Sequence, residues 1–179
     1  SKPLIVNPIP FIQIIPFNDT LCFGQTDTLI AFHSDTLLWS PAGAVSCATC
    51  DTVLINPAST TSFIATVHNT YNCRVSDTSL VTVFNPFTAQ ANASPVQICS
   101  NDTVRINVDP PGKIITWAPL AGLSSSNTYN PLASPVSNTT YIATLIDSAG
   151  CFSSTTSIDV IVKSLPIVNA GPDKILPFN

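Results

Sequence analysis

The sequence predicts an all-β fold of two tandem β-sandwich domains. Val, Ile, Thr, Phe and Tyr occur in short runs that Pro, Asn, Asp and Gly interrupt, which is the pattern of antiparallel strands and turns. The 179 residues include no Met and no Glu, so two good helix-forming residue types are missing. A long segment also occurs twice, which divides the chain into two similar parts.

The repeat is clearest where residues 39–73 and 117–151 align without a gap, 78 positions apart. Eleven of these 35 aligned positions are identical, and they include the tryptophans Trp39 and Trp117. The similarity continues upstream, where Cys22 aligns with Cys99. A regular repeat of this kind indicates successive modules, each forming one structural unit.

The repeat predicts one domain at residues 7–84 and a second at residues 85–164. The segment "PIVNAGPDKILPFN" within residues 165–179 echoes the opening segment "LIVNPIPFIQIIPFN". We therefore expect residues 165–179 to be a linker and the first strand of a third unit in a longer tandem array. Without an initial Met or a signal peptide, the chain is expected to be a mature or internal fragment.

Alternation within the strands predicts which side chains face the core. In the second domain the expected inward residues are Val104, Ile106, Val108, Ile115, Trp117, Tyr141, Ala143, Leu145, Ile158, Val160 and Val162. In the first domain Leu29 and Ala31 are expected to face inward, so Phe32 faces outward, either under a loop or on a contact surface. The closing strand leaves two registers open, with either Leu80 or Val81 pointing inward.

Six cysteines at matched positions indicate disulfides formed in an oxidising compartment. The order Cys, Trp, Cys in each domain is typical of immunoglobulin-like sandwiches. We expect each domain to have one disulfide that ties two loops at one end of its sandwich, and the Cys-Ala-Thr-Cys segment to have its own. The expected bonds are Cys22–Cys73, Cys99–Cys151 and Cys47–Cys50.

Residues that could support catalysis or metal binding do not recur between the repeats. His33 and His68 are isolated, and Val108 and Ile146 replace them in the second domain, so we expect structural histidines. A zinc site is disfavoured because the second domain has two cysteines, and a redox dithiol because no basic neighbour activates a thiol. We predict no enzyme activity, no metal and no cofactor.

The charge of the chain limits its partners. The net charge is −4, and the few Lys and Arg residues are scattered, which excludes the basic stripe that nucleic-acid binding requires. The apolar runs are far shorter than the ~18 residues that cross a bilayer. We therefore expect no nucleic-acid partner and no membrane span in this segment.

Seven of the ten Asp residues are followed directly by Thr or Ser. One interpretation is turn chemistry, in which Asp ends a turn and the β-branched Thr opens the next strand. The other interpretation is covalent modification of the hydroxyl, which rests on the resemblance described next.

The segments "WSPAGAVSCATCDTVLINPASTTSFIATVHNTYNC", "WAPLAGLSSSNTYNPLASPVSNTTYIATLIDSAGC" and "VNAGPDKILPFN" together resemble the tandem immunoglobulin-like and PKD-like repeats of Bacteroidetes surface proteins. The resemblance covers nearly the whole chain. It implies type IX secretion and a role in adhesins, gliding-associated filaments or surface fibres. It also implies O-glycosylation of Thr or Ser after Asp, and the matching positions are Thr20, Thr28, Thr36, Thr52, Thr103 and Ser148.

We interpret the chain as a disulfide-stabilised structural repeat of an extracellular cell-surface fibre or adhesin stalk. The expected partners are neighbouring repeats of the same protein or identical subunits in a fibre, with surface glycans as a further partner. One alternative is an adhesin domain that binds carbohydrate through residues 118–138, where Tyr129 is the aromatic residue. Another is a non-catalytic appendage of a secreted enzyme. Residues 165–179 could also add a strand to the next chain.

Overall fold

Residues 7–166 and Gly171 are described by the computed structural model of this protein, and they belong to two units. Unit 1 consists of the described residues up to Phe87 together with Ile146–Ser153. Unit 2 consists of Thr88–Leu145 and the described residues from Ser154 onward. A short segment of the second sequence repeat is therefore part of unit 1.

In unit 1 the described strands form two sheets, and one 3-10 turn lies at Ala42–Ala44. The strands are β1 (Ile12–Ile15), β2 (Asn18–Cys22), β3 (Asp27–His33), β4 (Thr36–Ser40), β5 (Thr52–Ile55), β6 (Thr61–His68) and β7 (Arg74–Phe84). The three-stranded sheet has the order β1-β3-β5, and the four-stranded sheet has the order β2-β7-β6-β4.

One pairing in the four-stranded sheet of unit 1 is parallel. β2 runs beside the final part of β7, so that Asn18 lies opposite Leu80 and Cys22 lies opposite Phe84. Pro16, which has no N–H to give to a sheet ladder, separates β1 from β2. The chain thus moves from one sheet to the other between these two strands.

Unit 2 repeats this topology strand for strand. Its strands are β8 (Gln90–Ala93), β9 (Gln97–Cys99), β10 (Val104–Asp109), β11 (Ile114–Ala118), β12 (Leu132–Ala133), β13 (Thr139–Ile146) and β14 (Ser153–Lys163). The sheet orders are β12-β10-β8 and β11-β13-β14-β9. As in unit 1, the short strand β9 runs parallel to the final part of β14, with Cys99 opposite Lys163.

Each core is formed by the facing sides of the two sheets, where Leu29, Trp39 and Phe63 of unit 1 are almost fully buried. Burying a large apolar side chain of this kind stabilises the fold by about 1.5–3 kcal/mol. The inward residues predicted for the second domain are buried, except that Ile158 and Val162 are half-buried. The alternation pattern was therefore a reliable guide to the core.

The register of β7, which the sequence left open, places Val81 and Val83 in the core and leaves Leu80 41% exposed. Ser79 shares the inward face with the two valines and is fully buried. Its hydroxyl donates a hydrogen bond of 2.7 Å to the carbonyl oxygen of Pro16. This bond removes the cost of burying an unpaired hydroxyl.

The outer face of the β1-β3-β5 sheet carries apolar side chains. Phe32 points outward, as expected, and is 51% exposed, so no loop covers it. Leu54 on the neighbouring strand is 57% exposed, and Ile30 is half-buried.

The predicted all-β fold with two tandem sandwiches is confirmed. The domain boundaries at residues 7–84 and 85–164 remain a prediction. The predicted first strand of a third unit lies outside the described residues, apart from Leu165, Pro166 and Gly171.

Candidate functional site: the cysteine loops and the Asp-Thr positions

The cysteines that align between the two repeats do not form the predicted disulfides. Cys22 bonds to Cys151, with their Cα atoms 5.4 Å apart. Cys73 and Cys99 are free thiols. The predicted bonds Cys22–Cys73 and Cys99–Cys151 are therefore wrong. Neither repeat has a disulfide between its own two aligned cysteines.

The length of the last strand of each repeat explains this difference. β7 has 11 residues and runs from Arg74, directly after Cys73, to Phe84, opposite Cys22. At about 3.3 Å per residue, the strand separates the two cysteines by roughly 30 Å. A disulfide requires Cα atoms within about 7 Å of each other. The two cysteines of the first repeat therefore cannot bond in the folded state.

The second repeat has the same arrangement, because the 11-residue strand β14 begins two residues after Cys151 and ends opposite Cys99. We call the end of a repeat where its last strand begins the start pole, and the end where that strand finishes the end pole. Cys73 and Cys151 mark the start poles, and Cys22 and Cys99 mark the end poles. The observed disulfide thus joins the end pole of one repeat to the start pole of the next.

The start-pole loops hold their cysteines in the same way. Asp147 is 1% exposed, and its carboxylate accepts hydrogen bonds from the backbone N–H groups of Ala149, Cys151 and Phe152. In the first repeat the side-chain oxygen of Asn69 accepts from the N–H groups of the matching residues Tyr71 and Cys73, each at 3.0 Å. Sequence reasoning missed both residues, although each lies four positions before its cysteine.

The end-pole loops are also alike. The N–H of Phe23 donates to the carbonyl of Phe84 at 2.9 Å, and the N–H of Ser100 donates to the carbonyl of Lys163 at 2.9 Å. These bonds fix the residue after each cysteine against the end of the last strand. Both cysteines are thereby held at the edge of the four-stranded sheet of their repeat.

Cys47 and Cys50 bond to each other, as expected from the sequence. This disulfide closes the loop over Trp39, whose indole Nε1 donates to the carbonyl oxygen of Cys50 at 2.9 Å. In the second repeat Trp117 makes the same bond to the carbonyl of Thr128, also at 2.9 Å, without a disulfide. The crosslink therefore reinforces a loop that the fold can also form unaided.

The candidate modification sites lie mostly on the surface. Thr28 is half-buried at the start of β3, and the other five positions are exposed, namely Thr20, Thr36, Thr52, Thr103 and Ser148. Thr36 and Thr52 each open a strand, and Thr103 directly precedes one. This placement agrees with the turn interpretation and leaves the hydroxyl groups accessible.

Several Asp side chains of the seven Asp-Thr and Asp-Ser pairs form hydrogen bonds within the fold. One oxygen of the Asp77 carboxylate accepts from the N–H of Ile14 at 2.7 Å, and Asp51 receives Nε2 of His33 at 2.9 Å. Nδ1 of His33 lies 2.7 Å from the carbonyl oxygen of Asp35. His33 is therefore held by structural hydrogen bonds, as the sequence led us to expect.

Within residues 7–166 and at Gly171, no group of three or more His, Cys, Asp or Glu side chains could hold a metal ion. None of the helical turns in the described part of the chain has the length and apolar character of a membrane-crossing helix.

The loop proposed for carbohydrate binding, residues 118–138, uses its aromatic residue internally. Tyr129 is half-buried, and its hydroxyl is hydrogen-bonded to the backbone of Lys113. A tyrosine held in this way has a restricted face for stacking on a sugar. The geometry gives no support to this loop as a ligand site.

Comparison with known proteins identifies the fold. No protein-family profile and no curated protein sequence matches this chain. The I67–I69 fragment from the titin I-band is similar, with a TM-score of 0.57, 13% identity, and coverage of 89% of this chain and 67% of that one. The N-terminal eight Ig domains of Down Syndrome Cell Adhesion Molecule isoform 1.30.30 give a TM-score of 0.55 at 13% identity, covering 90% of this chain and 27% of that one.

A third similar structure is the fragment of Dscam1 isoform 6.44 with the N-terminal four Ig domains, at a TM-score of 0.52 and 12% identity. The match covers 90% of this chain and 47% of that one. At these identities the likeness establishes an immunoglobulin-like fold and nothing further about function.

Proposed function

We propose that this chain is a structural repeat module of an extracellular array, such as a cell-surface fibre or an adhesin stalk. The observation that carries the proposal is the Cys22–Cys151 bond between an end pole and the start pole of the following repeat. This bond joins segments of the two sequence repeats covalently, in addition to the peptide chain. Such a link suits a protein whose task is to stay connected under load.

The physical properties of the chain support this role. Domains of about 80 residues have small cores and modest stability, so crosslinks matter to them more than to larger domains. Disulfides of this kind persist in oxidising surroundings, which favours a location outside the cell. The side chain of His33 is only 17% exposed and is held by structural hydrogen bonds, and we assign the module no enzymatic role.

The resemblance to Bacteroidetes surface repeats supports a cell-surface setting and export by the type IX pathway. The same resemblance supports O-glycosylation at the exposed Asp-Thr and Asp-Ser positions. Thr52 lies opposite Ile30, and Thr28 lies opposite Leu54, on the apolar outer face of the β1-β3-β5 sheet. Glycans at these two threonines would cover that face and keep a chain with 9% charged residues soluble.

Surface labelling and electron microscopy of native material test the array. Antibodies raised against this chain should label intact cells without permeabilisation, and negative-stain images of the labelled material should show elongated particles or fibres. Labelling that requires permeabilised cells would contradict the proposal. Compact particles without any array would contradict it as well.

Intact-mass measurement of the native protein tests the glycosylation separately. We expect a mass above that of the bare polypeptide, with the added mass located on peptides that contain the six positions. Changing Thr52 to Ala should remove one glycan, whereas changing Thr82, which lies opposite Thr20 and does not follow Asp, should remove none. A mass equal to that of the polypeptide would refute glycosylation and leave the array proposal standing.

A further inference from the structure

Two thiols remain free, Cys73 on a start pole and Cys99 on an end pole. They are the repeat equivalents of the bonded pair, since Cys73 aligns with Cys151 and Cys99 aligns with Cys22. The bonded pair therefore shows how an end-pole cysteine and a start-pole cysteine combine. The free pair has one cysteine of each kind.

The local geometry of the free thiols matches that of the bonded ones. At the end poles, the N–H of Gln25 donates to the carbonyl of Cys22 and the N–H of Asp102 donates to that of Cys99, each at 3.0 Å. The left-handed residue of the turn is Gly24 in one case, with φ 86°, and Asn101 in the other, with φ 72°. An L-residue with positive φ is uncommon, so this match reflects one turn conformation used twice.

At the start poles the match is equally close. Asn72 precedes Cys73 with φ 64°, and Gly150 precedes Cys151 with φ 73°. The N–H of Asn72 donates to the carbonyl of Asn69 at 3.0 Å, and the N–H of Gly150 donates to that of Asp147 at 3.1 Å. Together with the side-chain oxygen that binds each cysteine N–H, these bonds present both sulfur atoms from the same loop shape.

We infer that Cys99 and Cys73 are the two halves of further disulfides between repeats, made with repeats of the same kind. Cys99 bonds to the start-pole cysteine of a following repeat, and Cys73 bonds to the end-pole cysteine of a preceding one. This inference rests on the proposed array. A second copy of this chain supplies both kinds of partner, because it carries a Cys73 for the Cys99 of its neighbour.

The surfaces beside the two thiols can receive such a partner. A cavity of about 450 Å³ lies beside Cys99, lined in part by Pro95, Ile98 and Lys163. In unit 1 the end pole at Cys22 holds the loop Ile146–Ser153, which belongs to the same unit. The cavity beside Cys99 is the equivalent place for the start-pole loop of a following repeat.

The start pole at Cys73 carries the apolar side chains Ile9, Phe11 and Tyr71, which are 77%, 55% and 60% exposed. They surround a second cavity, of about 460 Å³, in unit 1. An exposed apolar cluster of this kind is typical of a surface that is covered in the assembled protein. A preceding repeat would cover it.

The bond forms with a simple balance of atoms and electrons. Each thiol loses one proton, and the two sulfurs together give up two electrons as the S–S bond forms. An added disulfide accepts the two electrons by thiol–disulfide exchange through a mixed disulfide, and it is released as two thiols. Oxidised glutathione is a suitable disulfide for the experiment.

Two complementary variants of the 179-residue chain test the inference. Cys73→Ser leaves Cys99 as the free thiol, and Cys99→Ser leaves Cys73. One variant is labelled with nitrogen-15, both are mixed in equal amounts in a glutathione redox buffer, and the dimers are separated by mass. We expect the heterodimer, linked through Cys99 and Cys73, in several-fold excess over the two homodimers combined.

The same mixture in denaturing urea is the control, because unfolded chains should pair at random and give about as many homodimers as heterodimers. Random pairing in native buffer would overturn the inference, and so would thiols that become glutathione adducts without forming dimers. If Cys73→Ser does not fold, Cys73→Ala replaces it. Failure of the array is recognised separately, since it is read from surface labelling and microscopy, whereas this experiment uses purified chains.

Discussion

Asp147 is a buried carboxylate whose hydrogen bonds go to the backbone of the Cys151 loop. Changing Asp147 to Ala leaves three N–H groups without this acceptor, and each unsatisfied buried donor costs about 1–3 kcal/mol. We expect the variant to lose about 3 kcal/mol of unfolding free energy, as measured by urea denaturation of the whole chain.

Asp147→Asn should lose much less, because the equivalent residue Asn69 caps the loop in the first repeat with an amide oxygen. The exposed neighbour Ser148, changed to Ala, is the matched control and should leave stability unchanged. Equal losses for the Ala and Asn variants would show that the loop does not depend on these bonds.

A second residue-scale prediction concerns pH. The side-chain hydrogen bond with Asp27, followed by burial and the charge of Asp27, raises the pKa of Asp19 above its ordinary value of 3.8. The folded state therefore holds its proton more tightly than the unfolded state does. This contribution to stability is complete below pH 3.8 and is lost as the pH rises through the raised pKa.

Asp19→Asn should remove this pH-dependent step, because it abolishes the interaction between two carboxylates. Relative to the wild type, the variant should gain stability at neutral pH and lose that advantage in acid. Urea denaturation across the acidic range measures the effect, and Asp109→Asn, at an exposed position at the end of β10, is the control. Parallel pH profiles for wild type and Asp19→Asn would contradict the prediction.

The core residues could be read from the sequence because strand alternation depends on local geometry alone. Val104, Ile106 and Val108 show this, since all three are buried as predicted. Ser79 and Asp147 could not be predicted in this way. Ser79 is buried with a hydrogen bond to the distant backbone of Pro16, and Asp147 is buried with hydrogen bonds to the backbone of its own loop. Strand periodicity does not predict such bonds.

At the scale of elements, the Cys47–Cys50 loop and its counterpart in the second repeat form a natural comparison. Changing Cys47 to Ser and Cys50 to Thr gives the first loop the residues found at Ser125 and Thr128. Because the tryptophan hydrogen bond persists without a disulfide in the second repeat, we expect the variant to fold. The chain-entropy estimate for so short a closed loop puts the loss at about 2 kcal/mol.

The reciprocal change, Ser125→Cys with Thr128→Cys, should form a disulfide and raise stability by a similar amount. Calorimetry of both variants, with thiol titration to establish the redox state, measures the two effects. Loss of the native fold in the first variant would show that the crosslink is essential to this loop rather than a reinforcement.

The short strands β2 and β9 explain why the disulfide pairing could not be read from the sequence. The pairing prediction assumed that Cys22 and Cys73 lie at one end of a sandwich. Cys22 instead lies at the finish of β7, because β2 pairs in parallel with that strand. A parallel pairing between strands more than fifty residues apart depends on tertiary structure. The sequence of the five-residue strand β2 does not indicate which strand it pairs with.

At the scale of the whole molecule, the opposite positions of the two cysteines in a repeat have a mechanical consequence. Cys22 and Cys151 are 129 positions apart in sequence, and one covalent bond closes this entire length. Force applied through the two ends of the chain therefore passes through the disulfide. That force cannot extend the backbone enclosed by the bond, even when its strands separate.

Single-molecule stretching measures this directly. When the oxidised chain is pulled from its ends, only the residues outside the closed loop should extend. Reduction should release the enclosed 129 positions, which at roughly 3.5 Å per residue adds about 450 Å of contour length. The double variant Cys22→Ser with Cys151→Ser should show the long extension without reductant, whereas Cys47→Ser with Cys50→Thr should retain the short one. Equal extensions for the oxidised and reduced chain would mean that the Cys22–Cys151 bond bears no force, and a load-bearing role for it would have to be abandoned.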